Sequence, residues 1–182
     1  ALAKRVTYTR DSSGQVTVMT NPLGNRWTYT YERGHLKTVK NPVNAVTTYV
    51  RDVLNRQVAV VNPLGYRNTS VYDLDGRVIA NVNPLTARTT LLYDTRGRVK
   101  AQINPLGFRT SYSWDSNNNR TATVNPLGNR WTAVFDKANQ AVASINPLGN
   151  RWTTTYDSAG NPVSIRNPKN ERTTTVFNSD RL

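Results

Sequence analysis

Along most of the chain, short runs rich in Val, Ile, Thr and aromatic residues alternate with polar positions, and two kinds of turn-forming tetrapeptide separate the runs. One is Asn-Pro-Leu-Gly or a variant of it; the other is Asp-x-x-Gly or Asp-x-x-Asn. Runs of about six residues with this composition, bounded by such turns, read as strands. Asn-Pro recurs at Asn21, Asn41, Asn62, Asn83, Asn104, Asn125, Asn146 and Asn167, at intervals of 20 residues once and 21 residues six times. The octapeptide Asn-Pro-Leu-Gly-Asn-Arg-Trp-Thr occurs identically at 21–28, 125–132 and 146–153. A fixed period of this length is the mark of a repeat architecture. One unit is one β-hairpin. The sequence therefore predicts an all-β antiparallel meander of about eight hairpins, with no helix.

Counting each unit from its Asn, the sixth residue is Arg in Arg67, Arg88, Arg109, Arg130 and Arg151, and the eighth is Thr or Ser throughout. The eleventh is aromatic in Tyr31, Tyr72, Tyr93, Trp114, Phe135, Tyr156 and Phe177. The twelfth is acidic in Glu32, Asp52, Asp73, Asp94, Asp115, Asp136 and Asp157. The fifteenth is Gly76, Gly97, Gly160, Asn55, Asn118 or Asn139. Only Gly and Asn sit easily at positive φ, so Asp-x-x-Gly is read as a three-residue loop that ends in a left-handed residue. Asp73 then opposes Arg77, and Asp94 opposes Arg98. Tyr31 to Asn41 is one residue short, and this calls for a two-residue loop at Arg33-Gly34.

If Asn-Pro-Leu-Gly is a four-residue loop with Gly last, the twenty-first position pairs with the fifth of the next unit. Positions 7, 9, 11, 17, 19 and 21 then share one apolar face, which carries Trp27, Tyr29, Tyr31, Trp131, Phe135, Trp152, Tyr156, Val78, Ala80, Val82, Ala101 and Ile103. The Arg, Thr and Asp positions fall on the other face. A single-layer ribbon of this kind exposes a long aromatic surface that a soluble monomer rarely tolerates. It must curl, pack against itself or cover something. Ala1-Leu2 fits the Pro-Leu positions of a unit, and the chain ends inside a hairpin turn. Residues 1–182 therefore read as a single array, a segment of a longer one or a protomer covered by its neighbours.

Composition narrows the function. The 182 residues contain no Cys and one His, His35, so thiolate sites, disulfides and multi-histidine metal sites are excluded. Nothing in the chain suggests a cofactor. No apolar run approaches a membrane span. Catalysis by paired carboxylates needs two acids at a set distance with separated pKa values. Seven of the eleven acids occupy the twelfth position and Asp11 falls in register with them, which leaves Asp75, Glu171 and Asp180 scattered. No catalytic residue is assigned, and the expectation is a protein that is not an enzyme.

The pattern Tyr72-Asp73-x-x-Gly76-Arg77-Val78, repeated as Tyr93-Asp94-x-x-Gly97-Arg98-Val99, resembles the YD repeat of the RHS family. The resemblance extends over the whole chain through Trp114-Asp115, Phe135-Asp136 and Tyr156-Asp157. It implies a wall segment of a hollow β-shell of the RHS and teneurin type, which in bacterial members encloses a toxin domain. It also implies a secreted or cell-surface location. The paired Asp-Pro-x-Gly motif of the family's self-cleaving aspartyl site is absent, because every match here carries Asn, so that activity is not carried over.

Two readings from different classes follow. The first is a non-catalytic scaffold whose partners are neighbouring repeats, other copies or enclosed cargo. The second is a binding module for anionic polymers or glycans. It draws on the net charge of +13, with Arg67, Arg88, Arg109, Arg130 and Arg151 as the contacting residues. Nucleic acid ranks below the scaffold, because phosphate contacts and base stacking need Arg and aromatics on one face. Asn68-Thr69-Ser70 and Asn119-Arg120-Thr121 match glycosylation acceptors, a weak signal in so Asn- and Thr-rich a chain.

Overall fold

The computed structural model describes residues 5–176. The assignments of Ala1-Leu2, Phe177 and Asp180 therefore lie outside the described residues. The chain divides into two compact units, Ala1–Thr89 and Thr90–Leu182. Among the described residues there are seventeen strands and no helix.

The first unit holds β1 (Thr7–Arg10), β2 (Val16–Thr20), β3 (Arg26–Glu32), β4 (His35–Lys40), β5 (Val46–Arg51), β6 (Gln57–Val61), β7 (Arg67–Tyr72) and β8 (Val78–Val82). Each pairs antiparallel with the next. β9 (Arg88–Tyr93) spans the boundary. The second unit continues with β10 (Val99–Ile103), β11 (Arg109–Trp114), β12 (Arg120–Val124), β13 (Arg130–Phe135), β14 (Ala141–Ile145), β15 (Arg151–Tyr156), β16 (Pro162–Arg166) and β17 (Arg172–Thr174). Here too the pairing is sequential and antiparallel, with Thr90–Tyr93 of β9 on β10.

Both turn types adopt one geometry. In the Asp turns, Asp94 N–H donates to Arg98 O (2.9 Å) and Gly97 N–H to Asp94 O (3.0 Å). Asp94 Oδ1 accepts from the N–H groups of Arg96 and Arg98, both at 2.9 Å. The Asn-Pro turns copy this. Asn125 N–H donates to Asn129 O and Gly128 N–H to Asn125 O, both at 3.0 Å, while Asn125 Oδ1 accepts from Leu127 and Asn129. As expected, Gly76, Gly97, Gly160, Asn55, Asn118 and Asn139 all have positive φ. The short turn is two residues long, with Arg33 at φ 52 and Gly34 at φ 79, and Tyr31 faces Leu36 across it.

The left-handed fourth residue of the Asn-Pro turn was not foreseen. Gly128 lies at φ 82, and in one unit Thr86 occupies the same slot at φ 63. A β-branched residue is strained there. Thr86→Gly is therefore expected to raise stability by about 1 kcal/mol, read as a higher urea midpoint at unchanged slope.

This geometry corrects the expected register. The Asn-Pro loop holds three residues, so the twenty-first position pairs with the sixth, as in Val124↔Arg130, and the nineteenth with the eighth, as in Ala122↔Thr132. A β-bulge sits beside the eleventh residue of every hairpin closed by an Asp turn. Phe135 pairs with Ala141, but Val134 pairs with Ala143. Positions 6, 8, 10, 19 and 21 thus share one face. Ala80, Val82, Ala101 and Ile103, expected among the aromatics, stand instead with the arginines and threonines. The three-residue loop moves the register by one residue, and one residue exchanges the faces of a strand. The bulge, whose extra residue lies on the second strand of the hairpin, then brings the seventeenth residue to the aromatic side, as in Val78 facing Tyr72.

On the Arg and Thr face, Ala59, Ala80, Ala101, Ala122 and Ala143 are the buried apolar residues, at 0–3 % exposure, and Ser164 takes the same position in the next hairpin. Among the described residues no large side chain is fully buried. One row of cross-strand partners runs Ser113, Ala122, Thr132, Ile145, Arg151. It moves from the tenth to the eighth to the sixth position of successive units, a stagger of one residue per strand. That is the shear-to-strand ratio at which barrel strands tilt by about 36°.

Candidate functional site

The repeated chemistry gathers at the edge formed by the Asp turns, where each hairpin is tied to the next. Eleventh-position rings reach back across the strand pair to the carbonyl of the seventeenth residue in the preceding hairpin. Tyr31 OH donates to Val16 O (2.9 Å), Tyr72 OH to Gln57 O (3.0 Å), Trp114 Nε1 to Val99 O (2.9 Å) and Tyr156 OH to Ala141 O (2.9 Å). The carbonyl is free to accept because the bulge interrupts the ladder there.

The sixteenth residue makes the reciprocal tie. Arg98 Nε donates to Asp94 Oδ2 (2.8 Å) within its own turn, and Nη1 donates to Asp115 O (2.6 Å) in the next. Arg56 does the same with Asp52 Oδ2 (2.7 Å) and Asp73 O (3.0 Å). Each guanidinium also lies over the ring it borders, Arg56 at 4.8 Å from the Tyr72 centroid and Arg98 at 5.7 Å from that of Trp114. Such stacking adds about 0.5–1 kcal/mol at exposed sites. Arg77 pairs with both Asp73 and Asp75 at 2.7 Å. Asn119 replaces the arginine in one unit, with its amide on Asp115 Oδ2 (2.9 Å) and Asn139 Oδ1 (2.8 Å).

The sequence placed Tyr72, Asp73, Gly76, Tyr93, Asp94, Gly97, Trp114, Asp115, Phe135, Asp136, Tyr156, Asp157 and Gly160 in the repeat motif, and all of them lie on this edge. The second bond of Arg56 and Arg98, from one hairpin to the next, was not foreseen. Its only signal is Arg directly after the left-handed residue. Phe135 occupies the ring position without a donor. Phe135→Tyr is expected to supply the bond to Arg120 O, as Tyr156 does to Ala141 O. The gain should be about 0.5–1 kcal/mol, measured by urea unfolding against the parent chain.

The carboxyl groups of Asp52, Asp73, Asp94, Asp115 and Asp157 are held ionised. In Asp94 the backbone N–H of Arg98 is the largest influence, and with the guanidinium it outweighs burial and lowers the pKa. The side-chain amides of Asn119 and Asn161 lead in lowering those of Asp115 and Asp157. Burial pushes Asp52 and Asp73 upward, but hydrogen bonds from Arg56 and Arg77 prevail and both end below the usual carboxylate value. A pKa lower in the folded than in the unfolded chain gives stability that is present above the unfolded value near ~3.9. It is lost as pH falls through the lowered, folded values. The urea midpoint should therefore hold down to about pH 5 and fall toward pH 2, and Asp94→Asn should flatten part of that fall.

The sixth-position arginines are all exposed on the Arg and Thr face. Arg67 Nε donates to Thr69 Oγ1 (3.3 Å), Arg109 Nε to Ser111 Oγ (3.1 Å) and Arg130 Nε to Thr132 Oγ1 (3.3 Å). These long bonds leave most donors facing water. A second exposed row follows the Asn-Pro edge, where Leu106, Leu127 and Leu148 are 78–84 % exposed. Of the sequons, Asn68 is exposed on β7, while the Asn119 amide is committed to the turn. His35 is exposed beside the two-residue loop. Among the described residues no cluster of His, Asp or Glu could hold a metal ion, and no helix is long and apolar enough to cross a membrane.

The RHS Repeat family model matches residues 10–42, 93–130 and 135–172. Among solved structures, the chain is similar to the crystal structure of TcdB2-TccC3-Cdc42, with a TM-score of 0.55 and 13% identity over 91% of this chain and 12% of the other. It is also similar to the Photorhabdus luminescens Tc holotoxin pore, with a TM-score of 0.55 and 13% identity over 91% of this chain and 11% of the other. A third, TcdB2-TccC3 without its hypervariable C-terminal region, gives 0.54 and 13% identity over 91% of this chain and 11% of the other. At this identity the likeness is one of fold. The chain spans only 11–12% of the length of these matched chains. No curated protein matches it.

Proposed function

The chain belongs to the RHS Repeat family, and we propose on that footing that residues 1–182 are one array within a longer wall of a hollow β-shell. The family and the fold make it a structural repeat scaffold. The wall has no catalysis of its own, encloses cargo such as a toxin domain, and works outside the cell. The observation that carries this reading is the stitched edge. Hairpins are fixed to their neighbours by a ladder of backbone bonds, by ring donors at Tyr31, Tyr72, Trp114 and Tyr156 and by the guanidinium groups of Arg56 and Arg98, while among the described residues no large side chain is fully buried. A stagger of one residue per strand coils a ribbon, as it does in barrels. A coiled ribbon has an inside.

The test is cryo-electron microscopy of the full polypeptide that carries this array, with protease protection of whatever it encloses. A closed, hollow particle with protected density inside is expected. An open ribbon or fibre with freely digested flanking domains would overturn the reading.

The exposed row of sixth-position arginines favours a second reading, a face for anionic polymers. Binding of heparin or of single-stranded DNA would then weaken steeply with added salt, in proportion to the number of contacts. Arg109→Ala and Arg130→Ala together would reduce that slope. Binding that is flat with salt would remove this reading and leave the scaffold untouched.

A further inference from the structure

Three departures from the repeat meet at one notch of the first unit, between the tip of the β3–β4 hairpin and that of the β5–β6 hairpin. From Tyr31 to Tyr156 the eleventh residue is aromatic in every unit but one, where it is Arg51. His35 stands directly after the left-handed residue, the place from which Arg56 and Arg98 tie their hairpins to the next. The turn before it is the two-residue loop Arg33-Gly34. The notch is a cavity of about 380 Å³, with Arg33, His35, Leu36, Tyr49 and Arg51 in its lining.

The charges at this notch do not balance. Glu32 pairs with Lys37 (3.2 Å) and Asp52 with Arg56 (2.7 Å), so both carboxylates at the cavity are already answered. Among the described residues Arg33 and Arg51 have no carboxylate partner. Where a ring would bond the preceding hairpin, Arg51 Nη1 turns back to Asn55 O of its own turn (3.0 Å). Arg51 Nε is buried with no hydrogen-bond partner. A covered donor without an acceptor is costly, the more so on a charged group. Two unanswered guanidinium groups and one unmet donor at a single cavity suit an anion of about two charges with several acceptor oxygens.

We propose that this notch binds a phosphate dianion, either free or as the end group of a small phosphate monoester. Arg51 turns the Nε side of its guanidinium toward the cavity and donates from Nε and Nη2 to two phosphate oxygens, the paired geometry that a guanidinium fork favours. Arg33, exposed at the mouth, supplies the second positive charge, and His35 beside it donates a further N–H. The cavity is larger than a bare phosphate needs, and its wall of Leu36 and Tyr49 receives the organic part of a monoester. The sixth-position arginines take no part, since the unit that carries Arg51 has Val46 at that position. The outcome is therefore independent of whether the array encloses cargo and of whether the Arg and Thr face binds polymers.

The experiment is a titration of the whole 182-residue chain with inorganic phosphate and with phenyl phosphate, followed by calorimetry and phosphorus NMR, with phenol as the uncharged control. Saturable binding of phenyl phosphate, and none of phenol, is expected. Inorganic phosphate bound at least as tightly supports the site with the free ion as its ligand, and tighter binding of the phenyl ester supports it with a monoester. Arg51→Lys keeps the charge and loses the fork, and should weaken binding by about tenfold. Arg33→Asn should weaken it by a similar factor with the turn kept, since Asn-Gly suits positive φ at both loop residues. Arg51→Tyr, which restores the ring of the other units, should abolish binding with an unchanged circular dichroism spectrum. Arg109→Ala and Arg130→Ala together should leave it unchanged. Failure of both phosphates to bind would overturn the proposal, as would binding that survives Arg51→Tyr or is matched by phenol. So would unchanged affinity in both Arg51→Lys and Arg33→Asn.

Discussion

Trp114→Ala is expected to destabilise the second unit by about 2–3 kcal/mol, below the full range for a core tryptophan because the ring is only half-buried. Three contacts go at once. These are the bond from Nε1 to Val99 O, the stacking of Arg98 and the apolar area of the ring. Trp114→Phe keeps the ring and loses the donor, at about 1 kcal/mol. In a repeat array such a loss falls on the junction between two hairpins, so the unfolding transition should also broaden as the hairpins on either side uncouple. Urea unfolding followed by far-ultraviolet circular dichroism measures both effects. A loss equal to that of Trp114→Phe, with no broadening, would show that the ring itself holds little.

The second large effect concerns the alanine row. Ala101 is fully buried between Leu92 and Ser111. Ala101→Leu forces these neighbours apart and should cost about 2 kcal/mol. A hydroxyl at this position distinguishes packing from polarity. Ala101→Ser places it opposite Leu92 on one side and, on the other, opposite Ser111, whose Oγ already accepts from Arg109 Nε, and should cost about 1 kcal/mol. Ala122→Ser places it opposite Ser113 and should be close to neutral. The chain already contains this solution, since Ser164 is buried and bonded to Thr155 Oγ1 at 2.9 Å. Equal losses for the two serine variants would contradict the pairing of the tenth position with the nineteenth.

The acid titration, the Thr86→Gly gain and the Phe135→Tyr gain address single turns, so their effects should be smaller and close to additive across distant hairpins. Together with the two variants above they separate three contributions. These are turn geometry, the stitch along the Asp edge, and the close packing of the opposite face.

Local chemistry wrote most of this fold into the chain. The 21-residue period, the strand between each pair of turns, the positive φ of Gly76 and Asn118 and the two-residue loop at Arg33-Gly34 all follow from residue types a few positions apart. The pairing of Asp73 with Arg77 and of Asp94 with Arg98 follows in the same way. A type I turn that ends in Gly or Asn needs nothing from the rest of the molecule. The faces were another matter. Whether Ala101 stands with Trp114 or against it depends on one residue in the Asn-Pro loop, and whether it stands with Tyr93 depends on the bulge beside that aromatic as well. Neither leaves a mark in composition. The bulge is present even beside Arg51 and Phe135, which have no ring donor; elsewhere the eleventh-position ring bonds a carbonyl in the preceding hairpin, and Arg98 bonds Asp115 in the following one. Those bonds join residues fifteen to seventeen positions apart. They exist only once neighbouring strands are in register, so they had to be found in three dimensions.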